Sequence, residues 1–158
     1  MTTQKEYDVV LRKCVDGDTV DVDIDLGFGV WLKDERVRIM GIDTPESRTS
    51  DKVEKIFGTA AKNRLKELLH DGGKLITTEN KDGEDMKGKF GRILGDFRTP
   101  TGELVTDIMI AEGHCVAYFG GSKEEIQMKH MANREKLLRE GVVSKEEYDE
   151  AVALMEGK

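Results

Sequence analysis

Apolar residues alternate with polar ones from Tyr7 to Val15 and again from Thr19 to Leu26, where Val20, Val22 and Ile24 interleave with Asp21, Asp23 and Asp25. A period of two marks half-buried strands, and the Asp16-Gly17-Asp18 turn between them predicts an antiparallel hairpin. The same alternation places Asp21, Asp23 and Asp25 on a solvent face. Gly27-Phe28-Gly29 interrupts the pattern before Val30-Trp31-Leu32. Lys33-Asp34-Glu35 then predicts a polar break, after which Arg36 to Ile42 resumes as a third strand ending at Asp43.

Pro45 closes that strand, and a polar loop from Ser47 to Asp51 leads into helical spacing from about Val53 to Leu69, carried by Ala60, Ala61, Leu65, Leu68 and Leu69. His70-Asp71-Gly72-Gly73 stops it. Lys74 to Thr78 and Arg92 to Phe97 read as short strands around a loop, Asn80 to Gly91, rich in Gly, Lys and acids. Leu104 to Glu112 predicts a short helix ended by Gly113, Val116 to Phe119 a brief strand, and Lys123 to Arg139 a long helix ended by Gly141. Ser144 and Glu147 have capping-box spacing for a last helix through about Met155. Strands gathered early and then interspersed with helices predict a β-rich α+β fold, a small barrel with helices packed on it.

Composition narrows the function. A chain of 158 residues with 37% hydrophobic and 36% charged residues predicts a single globular domain spanning 1–158. The net charge is −7, so the surface as a whole does not attract nucleic acid and any phosphate binding must be local. No apolar run approaches the roughly 20 residues of a membrane helix, which argues against a membrane protein. Met1 to Glu6 lacks a secretory apolar region, so a cytoplasmic location is expected. Cys14 and Cys115 lie far apart without zinc-ligand spacing and are expected as reduced, buried thiols.

Against that acidic background, Asp18, Arg38, Asp43, Thr44 and Glu46 gather in short polar turns. Carboxylates are hard oxygen ligands, so Asp18 and Asp43 are a natural pair for Ca²⁺ or Mg²⁺, with the Thr44 carbonyl as a neutral ligand. Glu46 can orient a water, and Arg38 and Arg92 can clamp phosphate bidentately. The turn acid Asp16 is read as hydrogen bonding its own backbone, and Thr19 as structural. Lys87 and Lys89 are candidates for phosphate contact or for ordinary solvation. Trp31 and Phe28 are expected in the core or as loop anchors, and His70, His114 and His130 at the surface or at helix ends.

Taken in order, Asp16-Gly17-Asp18-Thr19, Arg38, Asp43-Thr44-Pro45-Glu46, Phe90-Gly91-Arg92 and Gly113-His114-Cys115-Val116-Ala117-Tyr118 resemble the staphylococcal nuclease (thermonuclease) family from about Tyr7 to Gly141. The resemblance implies a five-stranded OB-fold barrel with about three packed helices, leaving the helix at about 144–156 as a C-terminal extension. It implies Asp18, Asp43 and Thr44 as calcium ligands, other divalent cations being alternatives, and Arg38, Glu46 and Arg92 as catalytic residues. Tyr118 matches a base-stacking tyrosine. The implied reaction is Ca²⁺-dependent hydrolysis of DNA or RNA at the 5′ P–O bond, leaving 3′-phosphate ends, by a chain expected to be monomeric. Phe90 stands where the best-known members carry Tyr, and Gly120 where a second tyrosine follows Tyr118. The alternative is a non-catalytic OB-type nucleic-acid-binding or protein-interaction module. The intact set of acids and arginines favours the enzyme.

Overall fold

The hydrophobic alternation becomes a closed barrel. The computed structural model describes residues 4–78, 93–118 and 122–157. Its strands are β1 (Gln4–Asp16), β2 (Thr19–Gly27), β3 (Val30–Ile39), β4 (Ile42–Asp43), β5 (Gly73–Thr78), β6 (Ile93–Arg98) and β7 (Val116–Ala117). The helices are α1 (Lys52–Leu69), α2 (Val105–Glu112), α3 (Lys123–Arg139) and α4 (Lys145–Glu156). The barrel runs β1-β2-β3-β6-β5 and closes on itself, while β4 and β7 form a separate ribbon. All barrel pairings are antiparallel except β3 with β6. This is the OB-type α+β barrel that the resemblance implies.

β1 serves two neighbours, pairing β5 over Gln4–Val9 and β2 over Val9–Asp16. Register shifts between Leu11 and Lys13 and between Cys14 and Asp16 bend it far enough to do so. The inward residues Val20, Val22, Val37, Ile39, Leu75 and Phe97 are all essentially buried. Each full burial is worth about 1.5–3 kcal/mol of hydrophobic stabilisation. Ala61, Leu65 and Leu69 of α1 belong to the same core, so this helix closes one end of the barrel. A second cluster joins Phe57 of α1 to Leu137 of α3 and to Val143, with Tyr148 of α4 packed against it. The Phe57 and Tyr148 rings meet edge-on at 6.2 Å.

The expected break at Lys33-Asp34-Glu35 is not a break. β3 is continuous through it, because a bulge sets Asp23 opposite both Lys33 and Asp34, and Asp34, at φ 54°, donates its amide to Asp23 Oδ1 at 2.8 Å. Gly27-Phe28-Gly29 is the tip of this long hairpin, where all three residues have positive φ. Phe28 is fully exposed and Trp31 is 38% exposed beneath Lys33, so neither is a core residue. The third strand also stops earlier than expected. Gly41, at φ 79°, turns the chain out of the barrel, and Ile42-Asp43 pairs with Val116-Ala117 instead.

Asp21 and Asp23 depart from the expected solvent face. They point away from the core yet are buried, at 8% and 3% exposure, because arginines from the flanking strands lie over them. Arg36 Nε donates to Asp21 at 2.9 Å, and Arg12 Nε to Asp23 at 2.7 Å. The Asp34 amide, and then Arg12, hold the Asp23 carboxyl below its ordinary value against the opposing effect of burial. Both cysteines are free and buried, and burial pushes their thiols up to about 11 for Cys14 and about 12 for Cys115. Among the described residues, no helix is long and apolar enough to cross a membrane.

Candidate active site

The site is built where turns leave the rim of the barrel. Asp18 ends the β1–β2 turn, and its backbone carbonyl accepts from the Ile39 amide at 2.7 Å, tying that turn to β3. Arg38, facing Thr19 across the β2–β3 ladder, places Nη2 at 3.3 Å from Asp18 Oδ2. Thr19 Oγ1 donates to Asp18 Oδ1 at 2.9 Å, so the structural role read for Thr19 is the orientation of Asp18. Asp43 arrives from β4, and Thr44, Pro45 and Glu46 follow it in a loop.

Two glycines let both turns lie against α1. A Cβ on Gly17 would stand 2.8 Å from that of Ala61, and one on Gly58 would run into the Glu46 carbonyl. Glu54, in the first turn of α1, accepts the Glu46 amide on Oε2 at 2.9 Å. Asp51 caps the same helix by accepting from the Val53 and Glu54 amides. A single helix therefore supports the Asp18 turn and the Glu46 loop together.

These pieces enclose a cavity of about 500 Å³ lined by Asp16, Asp18, Arg38, Asp43, Glu46 and Arg48, with Thr19, Thr44 and Pro45 completing the wall. Four carboxylates against two guanidiniums leave the lining net negative. Such a lining suits a hard divalent cation, which offsets the excess charge and accepts oxygen ligands. Asp18, Asp43 and the Thr44 carbonyl are the residues that could hold it. Among the described residues, no three His, Cys, Asp or Glu side chains gather closely enough to enclose an ion by themselves. The donor set thus fits a cation whose shell is completed by water or phosphate oxygens, as hard cations accept.

Arg38, Asp18, Asp43, Thr44 and Glu46 meet at this cavity. Tyr118 lies beyond it, exposed, with its amide donating to the Gly41 carbonyl at 2.9 Å beside the β4–β7 ribbon. Arg92, Lys87 and Lys89 lie outside the described residues. Asp16 does not serve its own turn: Ser47 Oγ donates to Oδ1 and Arg48 Nη2 to Oδ2 at 3.2 Å, so it fastens the loop that follows Glu46. His70 is an exposed helix end, as expected, but the other two histidines are not. His114 is 3% exposed, with Nδ1 lacking a partner among the described residues, and burial holds its pKa below the ordinary value. His130 Nε2 lies 2.7 Å from Asp43 Oδ2.

Sequence reading therefore missed Arg48, Glu54 and His130. The Asp51-x-x-Glu54 spacing was a visible helix-start signal, though here Glu54 reaches past the cap to the Glu46 amide. His130 carries no local signal, being 87 residues from its partner.

A closed five-stranded barrel with acids and arginines collected at its rim defines an OB-type protein with a charged cleft. Residues 36–147 match the family described as staphylococcal nuclease homologue, and the chain belongs to that family. It is 28% identical to endonuclease YhcR of Bacillus subtilis (strain 168) over 123 residues, covering 75% of this chain and 9% of that protein. Endonuclease YncB of the same organism is 32% identical over 110 residues, covering 70% and 47% respectively. Thermonuclease of Staphylococcus intermedius is 32% identical over 85 residues, covering 54% and 45%. The chain spans less than half the length of each of these relatives.

Proposed function

We propose that the chain is a divalent-metal-dependent nuclease that hydrolyses phosphodiester bonds of DNA or RNA at the 5′ P–O bond, leaving 3′-phosphate ends. The observation that carries this reading is the convergence of Asp18, Arg38, Asp43, Thr44 and Glu46 on one cavity in a member of the staphylococcal nuclease family. The nuclease names of the relatives support it. Asp18, Asp43 and the Thr44 carbonyl would hold the cation, and an adaptable oxygen set of this kind favours Ca²⁺ over strictly octahedral Mg²⁺. A cation held there would supply positive charge to the phosphate under attack.

Glu46 accepts the proton of the attacking water as its oxygen bonds to phosphorus. Arg38 donates to the non-bridging oxygens, whose negative charge grows in the transition state. The P–O5′ bond then breaks, the leaving 5′-oxygen takes up a proton from solvent while Glu46 returns its own to solvent, and the phosphate remains on the 3′ side. Arg92 is assigned the second phosphate clamp, Lys87 and Lys89 the flanking phosphates, and Tyr118 a stacked base.

The test is digestion of end-labelled single-stranded DNA, double-stranded DNA and RNA by wild type and Glu46→Gln, each with Ca²⁺, Mg²⁺ or chelator. Calcium-dependent cleavage leaving 3′-phosphates, lowered by orders of magnitude in Glu46→Gln or Arg38→Ala with the fold retained, is expected. Unchanged hydrolysis by Glu46→Gln would remove the assignment of Glu46. Equal activity in Mg²⁺ with calcium chelated would remove the metal preference. Inactivity of folded protein on every substrate would favour the non-catalytic binding module.

A further inference from the structure

Asp43 reaches the cleft from a strand of two residues, which is little scaffold for a metal ligand. Its side chain is 44% exposed, so an unrestrained carboxylate there would sample several rotamers. It is not unrestrained. His130 Nε2 lies 2.7 Å from Oδ2, and because a carboxylate accepts, this bond requires the proton on Nε2. The imidazole is only 11% exposed, so the fixed end of this bond is on α3.

Polar contacts of the same kind add to the packing of Leu137 and Leu138 in docking α3. Leu137 is its one buried apolar residue among those described. Asn133 Nδ2 donates to the Cys115 carbonyl at 3.3 Å, Lys136 Nζ to the Ala111 carbonyl at 2.5 Å, and the Arg134 guanidinium stacks 5.3 Å from the Phe57 ring. His130, Arg134 and Gln127 face Glu46 and Glu54 across a second cavity of about 180 Å³, which shares the Asp43–Glu46 wall with the first. One face of α3 thus lies directly behind the loop that carries the candidate chemistry.

We propose that His130 is a positioning residue for the divalent-cation site, locking the Asp43 carboxylate so that its remaining lone pairs are offered to the ion. The proposal rests on the metal-dependent reading given above. A hydrogen bond from outside the coordination shell removes rotamer freedom before the ion arrives and sets the basicity of the ligand, effects worth 10–100-fold in affinity at other metal sites. Linkage makes the coupling reciprocal: an ion that favours the locked Asp43 also favours docked α3.

The test is calorimetric titration of Ca²⁺ into wild type, His130→Ala and His130→Gln, with folding checked by circular dichroism. His130→Ala is expected to bind Ca²⁺ about 10–100-fold more weakly. His130→Gln, whose amide can donate, should recover part of the loss. kcat at saturating Ca²⁺ should stay within a few-fold of wild type, a split between affinity and turnover that a purely structural role would not give. Wild-type affinity in folded His130→Ala overturns the positioning role and leaves the metal reading intact. Wild type that binds neither Ca²⁺ nor Mg²⁺ overturns the metal reading and the proposal with it. Should both variants unfold, the histidine ¹⁵N–¹H spectrum of wild type decides. An Nε2–H tautomer at His130 supports the bond to Asp43, and an Nδ1–H tautomer with bare Nε2 rules it out.

Discussion

His114 sits in the interior with Nδ1 lacking a partner among the described residues and Nε2 3.9 Å from Glu112 Oε1. Burial is the main cause of its lowered pKa, with Arg64 adding to the effect and Glu112 and Glu67 opposing it. The unfolded chain therefore takes up the proton first as pH falls. Stability that is fully present above the ordinary histidine value of about 6.5 is lost as pH drops towards the folded value. Urea melts of wild type and His114→Leu between pH 7.5 and 5 are expected to diverge, with wild type losing stability faster on the acid side. Parallel curves would show that His114 takes up its proton equally in the folded and unfolded states, so that burial does not shift it. Local sequence rules drew attention to the acids because they sit in or beside short signalled turns, and to Arg38 in the strand that leads into one of them. They could not identify the covering of Asp21 and Asp23, which depends on strand register bringing Arg36 and Arg12 over them. Nor could they pair His130 with Asp43, which only the packing of α3 brings together.

At the scale of elements, α1 is the common support of the site. Gly58→Ala would drive a methyl into the Glu46 carbonyl, and the adjacent contact is with the Ser47 amide, so relief requires the loop itself to move. The cost is expected to be about 1–3 kcal/mol, the range for overpacking. Activity should fall by more than that destabilisation implies, because the displaced segment carries Glu46. Turnover measured well below the melting temperature, beside a thermal melt, separates the two effects; loss of stability with full activity would show that the loop adapts. Helix positions were legible from apolar spacing and from caps such as Ser144, whose side chain accepts from the Glu147 amide. The Lys33–Glu35 segment was not legible as strand. Its polarity belongs to a hairpin that extends past the core, where outward and inward faces are both wet and the alternation loses its meaning. The early end of β3 was hidden for a related reason, since Gly41 redirects a chain that remains apolar on both sides.

Across the whole molecule, barrel and site differ in how far apart in sequence their parts lie. The β1–β2–β3 meander is local, whereas β3 must find β6 in parallel, and Asp43 must pair with Val116 and meet His130. Closing such distant contacts is slow compared with forming hairpins. A protein made from its N-terminus thus possesses Asp18, Arg38 and Glu46 long before it possesses the strand and helix that fix Asp43. If Asp43 is needed for hydrolysis, a chain still attached to the ribosome is harmless to the message encoding it until synthesis has passed α3. Stalled chains ending at Ser122 are expected to be inactive on labelled RNA, and chains released at full length active; cleavage by the stalled chains would show that Asp43 needs no support from α3. The helix α3, braced against the ribbon of β4 and β7, would then act as a timer, withholding cleavage until the chain has been made through Arg139.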